Sequence, residues 1–338
     1  MENEELKLGK VFKIIGIWFN AGRGYTLPMS ILSWLIPFLY AVLYYNGMVD
    51  FGLIALVGIV ILHWSVNLSD DLFDWWKAQR DIKLGKRQEL NFQRRKCIYL
   101  INGDLTFKQA LIGLIAALSI SLLIALWFIS VFGLKLLPLI ILTALLCLFY
   151  PILDHFALSE VVIGIVFAPL LYYGVFYVMT GTVSLPLMLM SISTGLMTIG
   201  LSYTHILLDC ELDRKNSKTT LATLFASPLS ALNLQAVIIL LAYLNIIICI
   251  CFSQLPVLSL LTLLSIPTAF ELYRILKIHL TDPEQKIKRT FFMGFMENWG
   301  NIEKERLDGF MIKFLTSRNL MIHFTLLLAL SLLIDKVI

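Results

Sequence analysis

The chain has 338 residues, of which 59% are hydrophobic and only 15% are charged. Its mean hydropathy is +0.83. This composition excludes a soluble globular domain and indicates an integral membrane protein. The net charge of +4 comes from 27 basic and 23 acidic residues. The positions of these charges indicate membrane topology and contact with anionic lipids, and no nucleic-acid partner is predicted.

The first segment, residues 1–26, is polar to amphipathic. It interleaves lysines with apolar and aromatic residues, namely Lys7, Lys10, Phe12, Lys13, Ile14 and Trp18. This pattern predicts a short amphipathic helix that lies on the membrane surface.

Nine apolar runs long enough to cross a bilayer follow one another along the chain. They cover residues 27–47, 51–69, 109–132, 134–150, 160–180, 185–208, 229–252, 255–276 and 320–337. The sequence therefore predicts an all-α, polytopic bundle of nine transmembrane helices that forms a single membrane domain, residues 1–338. Residues 277–319 are predicted to be an extended cytoplasmic loop before the last helix.

The basic residues predict the orientation of this bundle in a cell membrane. With a cytoplasmic N-terminus, the inside segments are 1–26, 70–108, 151–159, 209–228 and 277–319. Counting residues near the helix ends, these segments hold every Lys and Arg except Lys135 and Lys336. The positive-inside rule thus predicts an inside N-terminus and an outside C-terminus.

The first acidic cluster, NLSDDLFD at residues 67–74, follows the second apolar run. Asn67, Asp70 or Asp71, and Asp74 are spaced at i, i+3/4 and i+7, so they share one helix face. A run of acids can simply end a membrane helix in water. However, the cytoplasmic end of a membrane helix usually carries basic residues. Acidic residues at this position therefore indicate a functional site.

The second acidic cluster, DCELDRKNSKTTLA at residues 209–222, follows the sixth apolar run. Asp209 and Asp213 form an i, i+4 pair, and His205 precedes them by one turn on the same face. Arg214 and Lys218 come next. Carboxylates followed by cations are what a metal-bound diphosphate requires, because charges of both signs must be neutralised.

Both clusters are predicted to emerge on the cytoplasmic side of the membrane, where they would line an active-site chamber. Carboxylates are hard oxygen ligands that favour Mg²⁺, which commonly links protein carboxylates to the phosphates of a substrate. The predicted metal ligands are Asn67, Asp70, Asp71, Asp74, Asp209 and Asp213. The sequence alone therefore predicts binding of a magnesium diphosphate at a membrane face.

Several polar residues near the clusters are candidates for substrate contacts. Among the basic residues of the first cytoplasmic loop, Lys77, Arg80 and Arg87 are the candidates for phosphate binding. Asn67 has an amide that can bind phosphate. His205 has three readings: a neighbour of the metal, a group that orients an acceptor, or a polar contact inside the bundle.

At these residues the chain resembles the UbiA superfamily of intramembrane prenyltransferases, and most closely its 1,4-dihydroxy-2-naphthoate branch. RGYTLPMSILSWLIP at residues 23–37 is similar to the R-x-x-T-L-P opening of that branch. NLSDDLFDWWKAQRD at 67–81 is similar to its first aspartate motif. SEVVIGIVFAPLLYYGVFYVMTG at 159–181 resembles a G-E-x-x-V stretch that runs on to Y-x-x-T-G. DCELDRKNSKTTLA at 209–222 resembles D-x-x-x-D-x-x-x-G-K-x-T-L.

The resemblance implies transfer of a prenyl group from a polyprenyl diphosphate to an aromatic acceptor, in the synthesis of menaquinone precursors. It implies two Mg²⁺ ions that bridge the diphosphate. Asp71, Asp74, Asp209 and Asp213 would be catalytic, and Arg23 would join the substrate-binding residues. An allylic cation would form, the aromatic ring would capture it, and a chamber within the membrane would exclude water.

Some positions depart from the pattern of that branch. Asp70 replaces an Asn, Ala78 and Ser217 replace glycines, and His205 and Leu208 stand where Asn and Arg are usual. These differences leave open another acceptor, such as 4-hydroxybenzoate, or a terpene cyclase of the same fold. A transporter is a more distant alternative, because the acids cluster at one membrane face instead of at the midplane.

Overall fold

A computed structural model describes residues 2–85, 96–154, 156–215, 219–304 and 307–338. Within these ranges the chain contains helices and no β-strand, with helix accounting for 83% of the structure. The predicted all-α fold is confirmed. The α-helices are α1 (Glu2–Ala21), α2 (Pro28–Tyr45), α3 (Val49–Lys83), α4 (Ile98–Ile101), α5 (Phe107–Phe132), α6 (Leu137–Asp154), α7 (Ser159–Ile165), α8 (Leu171–Thr180), α9 (Leu185–Lys215), α10 (Pro228–Cys251), α11 (Ile266–Thr281), α12 (Trp299–Lys304) and α13 (Asp308–Val337).

Eight helical segments in the described part of the chain are long and apolar enough to cross a membrane. The predicted span 134–150 corresponds to a shorter apolar segment, Leu134–Tyr150. The chain is therefore a multi-pass membrane protein, while the count of nine spans stays a prediction.

The first acidic cluster lies inside α3, and residues 209–215 of the second cluster lie inside α9. α3 has 35 residues and α9 has 31, whereas about 20 residues suffice to cross the hydrocarbon core. Each helix is therefore longer than one membrane crossing requires. Residues 75–83 contain neither Gly nor Pro, so α3 continues past the first cluster.

The described chain packs as two compact units, and each is considered by itself. Unit 1 comprises Met1–Ile31 and Leu53–Leu137. Its core joins the end of α1, the middle of α3, α4 and the start of α5. The buried residues of this core are Ala21, Leu68, Leu72, Cys97, Tyr99, Leu100, Leu105, Ala110 and Leu114. This packing holds the first acidic cluster beside the residues that precede α4.

Unit 2 comprises Leu32–Gly52 and Pro138–Ile338, and α9 packs there against α7, α10 and α13. Small residues allow α7 and α9 to approach closely. A Cβ on Gly195 would lie only 3.2 Å from the carbonyl oxygen of Gly164. On another side of α9, the Thr204 hydroxyl lies 2.8 Å from that of Ser317. These contacts fix the helix that carries the second acidic cluster.

The predicted loop 277–319 is shorter in the structure, because α11 reaches Thr281 and α13 already begins at Asp308. The first turns of α13 are polar, so hydropathy alone did not locate its start. Asn319 donates hydrogen bonds to the carbonyl oxygens of Met293 at 2.8 Å and Phe295 at 2.7 Å. These bonds fasten the preceding segment to the helix.

Candidate active site: two acidic helix segments

The turn after α1 holds Arg23 in a fixed position. Arg23 adopts the left-handed conformation, with φ 51° and ψ 49°. A Cβ on Gly22 would lie 2.0 Å from Nε1 of Trp64, and one on Gly24 would lie 2.2 Å from the ring of Phe19. Only glycine fits at both neighbours of Arg23, so the backbone of this turn is tightly packed against aromatic rings.

Arg23 pairs with two carboxylates of the first cluster. Its Nη2 lies 2.7 Å from Oδ2 of Asp70 and also donates a hydrogen bond to Oδ1 of Asp71. Asp71 is only 2% exposed, and a buried carboxylate is costly unless it is paired. Burial alone would lower the pKa of Arg23, but Asp70 and Asp71 raise it above its ordinary value. The guanidinium therefore stays charged and neutralises the buried acids.

Lys96 completes a charge network with the same cluster. Its Nζ lies 3.0 Å from Oδ2 of Asp70 and 2.8 Å from Oδ2 of Asp74. Burial would lower the pKa of Lys96, but Asp70 and Asp74 raise it above its usual range. Among the ion pairs of the described residues, three carboxylates (−3) face two cations (+2), which leaves one net negative charge. The network thus remains an attractive place for an additional cation.

Cys97 anchors the chain beside Asp71. Its backbone N–H donates to Oδ2 of Asp71 at 2.9 Å, and its thiol donates to the carbonyl oxygen of Asp71 at 3.2 Å. Cys97 is fully buried. Burial and the nearby carboxylates of Asp71 and Asp74 raise the pKa of its thiol. Cys97 is therefore a neutral structural residue at neutral pH.

Asn67 lies one turn before the aspartates and faces the Arg23 turn. Its Nδ2 donates to the carbonyl oxygen of Gly22 at 3.1 Å and to Oγ1 of Thr26 at 3.0 Å. Because the amide nitrogen is used in this way, the carbonyl oxygen Oδ1 is the atom suited to the predicted metal role.

The basic candidates after the first cluster occupy different environments. Lys77 is partly buried on α3. Arg80 is half exposed, and its guanidinium lies 4.9 Å from the ring centroid of Trp76. Arg87 lies outside the described residues. The predicted phosphate contacts of Lys77, Arg80 and Arg87 stay predictions.

The second cluster lies on the last turns of α9, within unit 2. Asp213 is buried and Asp209 is partly buried. One turn earlier, the ring of His205 packs 4.4 Å from that of Phe314 and 6.3 Å from that of Phe310. His205 is therefore surrounded by aromatic rings of α13, and its role toward a substrate stays a prediction.

Arg214 has contacts that hold the end of α9 in place. Its guanidinium donates to the carbonyl oxygens of Phe225 at 2.5 Å and Ala226 at 3.4 Å. These bonds tie α9 to the segment before α10 and give Arg214 a structural role in this conformation. Lys218, the other predicted phosphate-binding cation, lies outside the described residues.

The sequence analysis assigned no role to two cations near the clusters. One is Lys96, which binds Asp70 and Asp74 as described above. The other is Lys313, which is 7% exposed and whose Nζ lies 3.1 Å from Nδ1 of His279. A lysine flanked by Ile312 and Phe314 is the sequence signal that could have indicated this buried charge.

The first cluster has the chemistry of a magnesium site. It offers three carboxylates within two turns of α3, and Mg²⁺ favours oxygen ligands of this kind. Among the described residues, no three His, Cys, Asp or Glu side chains are grouped so as to hold a metal ion. Instead, Arg23 and Lys96 bind these carboxylates. The carboxylate oxygens of the first cluster suit Mg²⁺, but Mg²⁺ can bind them only if Arg23 or Lys96 moves away.

Within the described residues, the all-helical architecture with eight membrane-length helical segments defines a multi-pass membrane protein. Its sequence matches the UbiA prenyltransferase family over residues 33–296. The chain belongs to this family and is a prenyltransferase, as the resemblance implied. No curated protein sequence matches it.

Solved structures support the same fold. A digeranylgeranylglyceryl phosphate synthase is 13% identical with a TM-score of 0.58, covering 96% of this chain and 99% of that chain. A UbiA homologue from Aeropyrum pernix K1 is 16% identical with a TM-score of 0.56, covering 91% and 98%. A UbiA homologue from Archaeoglobus fulgidus bound to GPP and Mg²⁺ is 14% identical with a TM-score of 0.54, covering 92% and 99%. At these identities the similarity establishes the fold.

Proposed function

We propose that this prenyltransferase uses a polyprenyl diphosphate as donor and requires Mg²⁺. The observation that carries the proposal is the network of Asp70, Asp71 and Asp74 with Arg23 and Lys96, which presents charges of both signs on one helix surface. A diphosphate with its metal ions needs both signs. The Archaeoglobus homologue, which has this fold, was solved with GPP and Mg²⁺.

In this proposal Asn67, Asp70, Asp71 and Asp74 hold Mg²⁺ through oxygen atoms, and Asp209 and Asp213 do the same on α9. Two ions are the number that the family resemblance implies. Bound Mg²⁺ supplies positive charge that stabilises the departing diphosphate. The residues of the chain fix the donor in place and provide cations for its phosphate oxygens, with Arg23, Lys77, Arg80, Arg87, Arg214 and Lys218 as the candidates.

We further propose that the acceptor is an aromatic acid, 1,4-dihydroxy-2-naphthoate, in the synthesis of menaquinone. The support for this acceptor is the likeness of residues 23–37, 67–81, 159–181 and 209–222 to the corresponding branch of the family. The allylic carbon loses the diphosphate, the electron-rich ring forms the new carbon–carbon bond, and the ring carbon then loses its proton or carboxylate. His205, enclosed by aromatic rings, is the proposed acceptor-side residue.

The test is a product analysis with purified protein, Mg²⁺ and a long-chain prenyl diphosphate. Parallel reactions contain 1,4-dihydroxy-2-naphthoate, 4-hydroxybenzoate or no acceptor, and products are read by mass spectrometry. The proposal predicts a prenylated naphthoquinol product in the first reaction. Formation of prenylated 4-hydroxybenzoate instead would identify 4-hydroxybenzoate as the acceptor. A cyclic hydrocarbon formed without any acceptor would identify a terpene cyclase.

A further inference from the structure

We propose that Lys96 is an exchangeable cation of the active site: it binds Asp70 and Asp74 in the metal-free protein and turns to the donor's phosphates when Mg²⁺ takes these carboxylates. The inference rests on the proposed Mg²⁺–diphosphate function. It assigns to Lys96 a substrate-binding role that its sequence position does not indicate.

The starting position of Lys96 is defined by its two ion pairs. Its Nζ lies between Asp70 Oδ2 at 3.0 Å and Asp74 Oδ2 at 2.8 Å. A metal ion bound by Asp70 and Asp74 would need oxygen atoms of the same two carboxylates. Because two cations held between the same carboxylates repel each other, Mg²⁺ and Lys96 compete for this place.

Arg23 is not the cation that exchanges. Its backbone is fixed in a left-handed turn between two glycines on which no side chain fits. Its guanidinium, a planar group with several donors, pairs with both Asp70 and Asp71 at once. The side chain of Lys96 is more exposed, at 35% against 21% for Arg23, and ends in a single charged nitrogen on a flexible stem. Lys96 is therefore the cation that can move.

The backbone beside Lys96 stays in place while its side chain moves. The N–H of Cys97 is bonded to Asp71, and the carbonyl oxygen of Cys97 accepts a bond from the N–H of Leu100 at 3.0 Å. Lys96 is thus attached directly to the site whichever group it binds. Its charge remains next to the carboxylates, where the phosphates of a Mg²⁺-bound donor would also lie.

Such an exchange couples the two ligands. Without a diphosphate, Mg²⁺ must break the ion pairs of Lys96 with Asp70 and Asp74, and this lowers the free energy gained by Mg²⁺ binding. With a diphosphate, the displaced ammonium of Lys96 forms ion pairs with phosphate oxygens, and these compensate for the ion pairs that were lost. Mg²⁺ and diphosphate must then strengthen each other's binding, and part of this coupling passes through Lys96.

The test is calorimetric titration of Mg²⁺ into purified full-length protein, with and without inorganic pyrophosphate. The variants are Lys96→Met, which removes the charge, and Lys96→Arg, which keeps it. Lys108→Met serves as a control, because Lys108 is exposed at the start of α5. Unfolding temperatures with and without Mg²⁺ provide a second readout of metal binding.

We expect Lys96→Met to bind Mg²⁺ alone about tenfold more tightly than the wild type and to lose most of the gain that pyrophosphate provides. In Lys96→Arg, the planar guanidinium should form stronger ion pairs with the carboxylates. This variant should therefore bind Mg²⁺ alone more weakly than the wild type. Lys108→Met should match the wild type in both titrations.

Unchanged or weaker Mg²⁺ affinity in Lys96→Met would overturn the exchange. If that variant does not fold, equal Mg²⁺ affinity in Lys96→Arg and the wild type would overturn it instead. A wild-type protein that binds no Mg²⁺ even with pyrophosphate would contradict the proposed function itself, so the two failures are distinguishable.

Discussion

Asp71 is the most firmly held of the acidic residues in the first cluster. It is buried, and it accepts hydrogen bonds from Arg23 and from the backbone of Cys97. Asp74, in contrast, is partly exposed and bound by Lys96. Because a buried and oriented carboxylate loses little freedom when it binds a ligand, Asp71 is well suited to a site that must be preorganised.

Replacing the catalytic candidates one at a time tests the site at this scale. We expect Asp71→Asn, Asp74→Asn, Asp209→Asn and Asp213→Asn each to lower turnover by at least about 10²–10³, the typical effect of removing one charge-stabilising group. Turnover is measured by steady-state kinetics, and gel filtration checks that the variants fold. Asp50→Asn is the matched control, because Asp50 is exposed in the first turn of the same helix as the first cluster.

If two of the four variants are as active as the wild type, these aspartates do not form the catalytic site. A similar loss in Asp50→Asn would show that the helix tolerates no change of charge, and the losses would then carry no information about the site.

Cys97 provides a test of the packing around Asp71. Burial and the neighbouring carboxylates raise its thiol pKa, so the folded state favours the protonated thiol. This contribution to stability is complete below the ordinary thiol pKa of about 8.5 and is lost as the pH rises from there toward the raised value. We expect a protein with Cys97 as its sole cysteine to react slowly with a maleimide at pH 7 and rapidly once unfolded in detergent.

The labelling rate is followed by mass spectrometry over time. Equal rates for the folded and the unfolded protein would mean that Cys97 is accessible, and its anchoring of the chain beside Asp71 would have to be abandoned.

At the scale of helices, the fold was largely predictable because apolar length determines which segments cross a membrane. The sequence pattern located the spans, but not where α3, α9 and α13 begin or end, since polar residues continue these helices beyond the apolar runs. The spacing of Asn67, Asp70, Asp71 and Asp74 indicated the first cluster. Lys96 was missed because its ion pairs join residues 22 and 26 positions apart, and no local spacing rule connects them.

The close fit of the turn after α1 gives a prediction at this scale. Gly22→Ala would place a Cβ 2.0 Å from Trp64, so the ring or the turn that carries Arg23 must shift. We expect a loss of about 1–3 kcal/mol in stability, the usual effect of overpacking, together with lower activity.

Gly16→Ala is the matched control, because Gly16 lies in α1, the helix before this turn, and a Cβ there meets nothing within 4 Å. It should leave the protein unchanged or stabilise it by up to about 1 kcal/mol, as expected from helix propensity. Thermal unfolding in detergent compares the two variants. If both unfold at the wild-type temperature, the turn is not as tightly packed as the structure shows.

At the scale of the whole molecule, the distribution of basic residues determines how the chain lies in the membrane. Counting residues near the helix ends, only Lys135 and Lys336 fall outside the predicted inside segments. We propose that the N-terminus is cytoplasmic and that the C-terminus, after α13, is outside. Fusion of a reporter active only outside the cytoplasm to residue 338 should give activity, and fusion of the same reporter to the N-terminus should not. The reverse pattern would contradict this topology.

The central claim is that the acidic helix segments carry out a Mg²⁺-dependent prenyl transfer. Its most direct test is the formation of prenylated product from a polyprenyl diphosphate and the aromatic acceptor by purified protein, before and after removal of divalent cations with EDTA. An all-oxygen ligand set without cysteine or paired histidines favours Mg²⁺. We expect chelation to abolish product formation and added Mg²⁺ to restore it. Full turnover after exhaustive chelation would contradict the central claim.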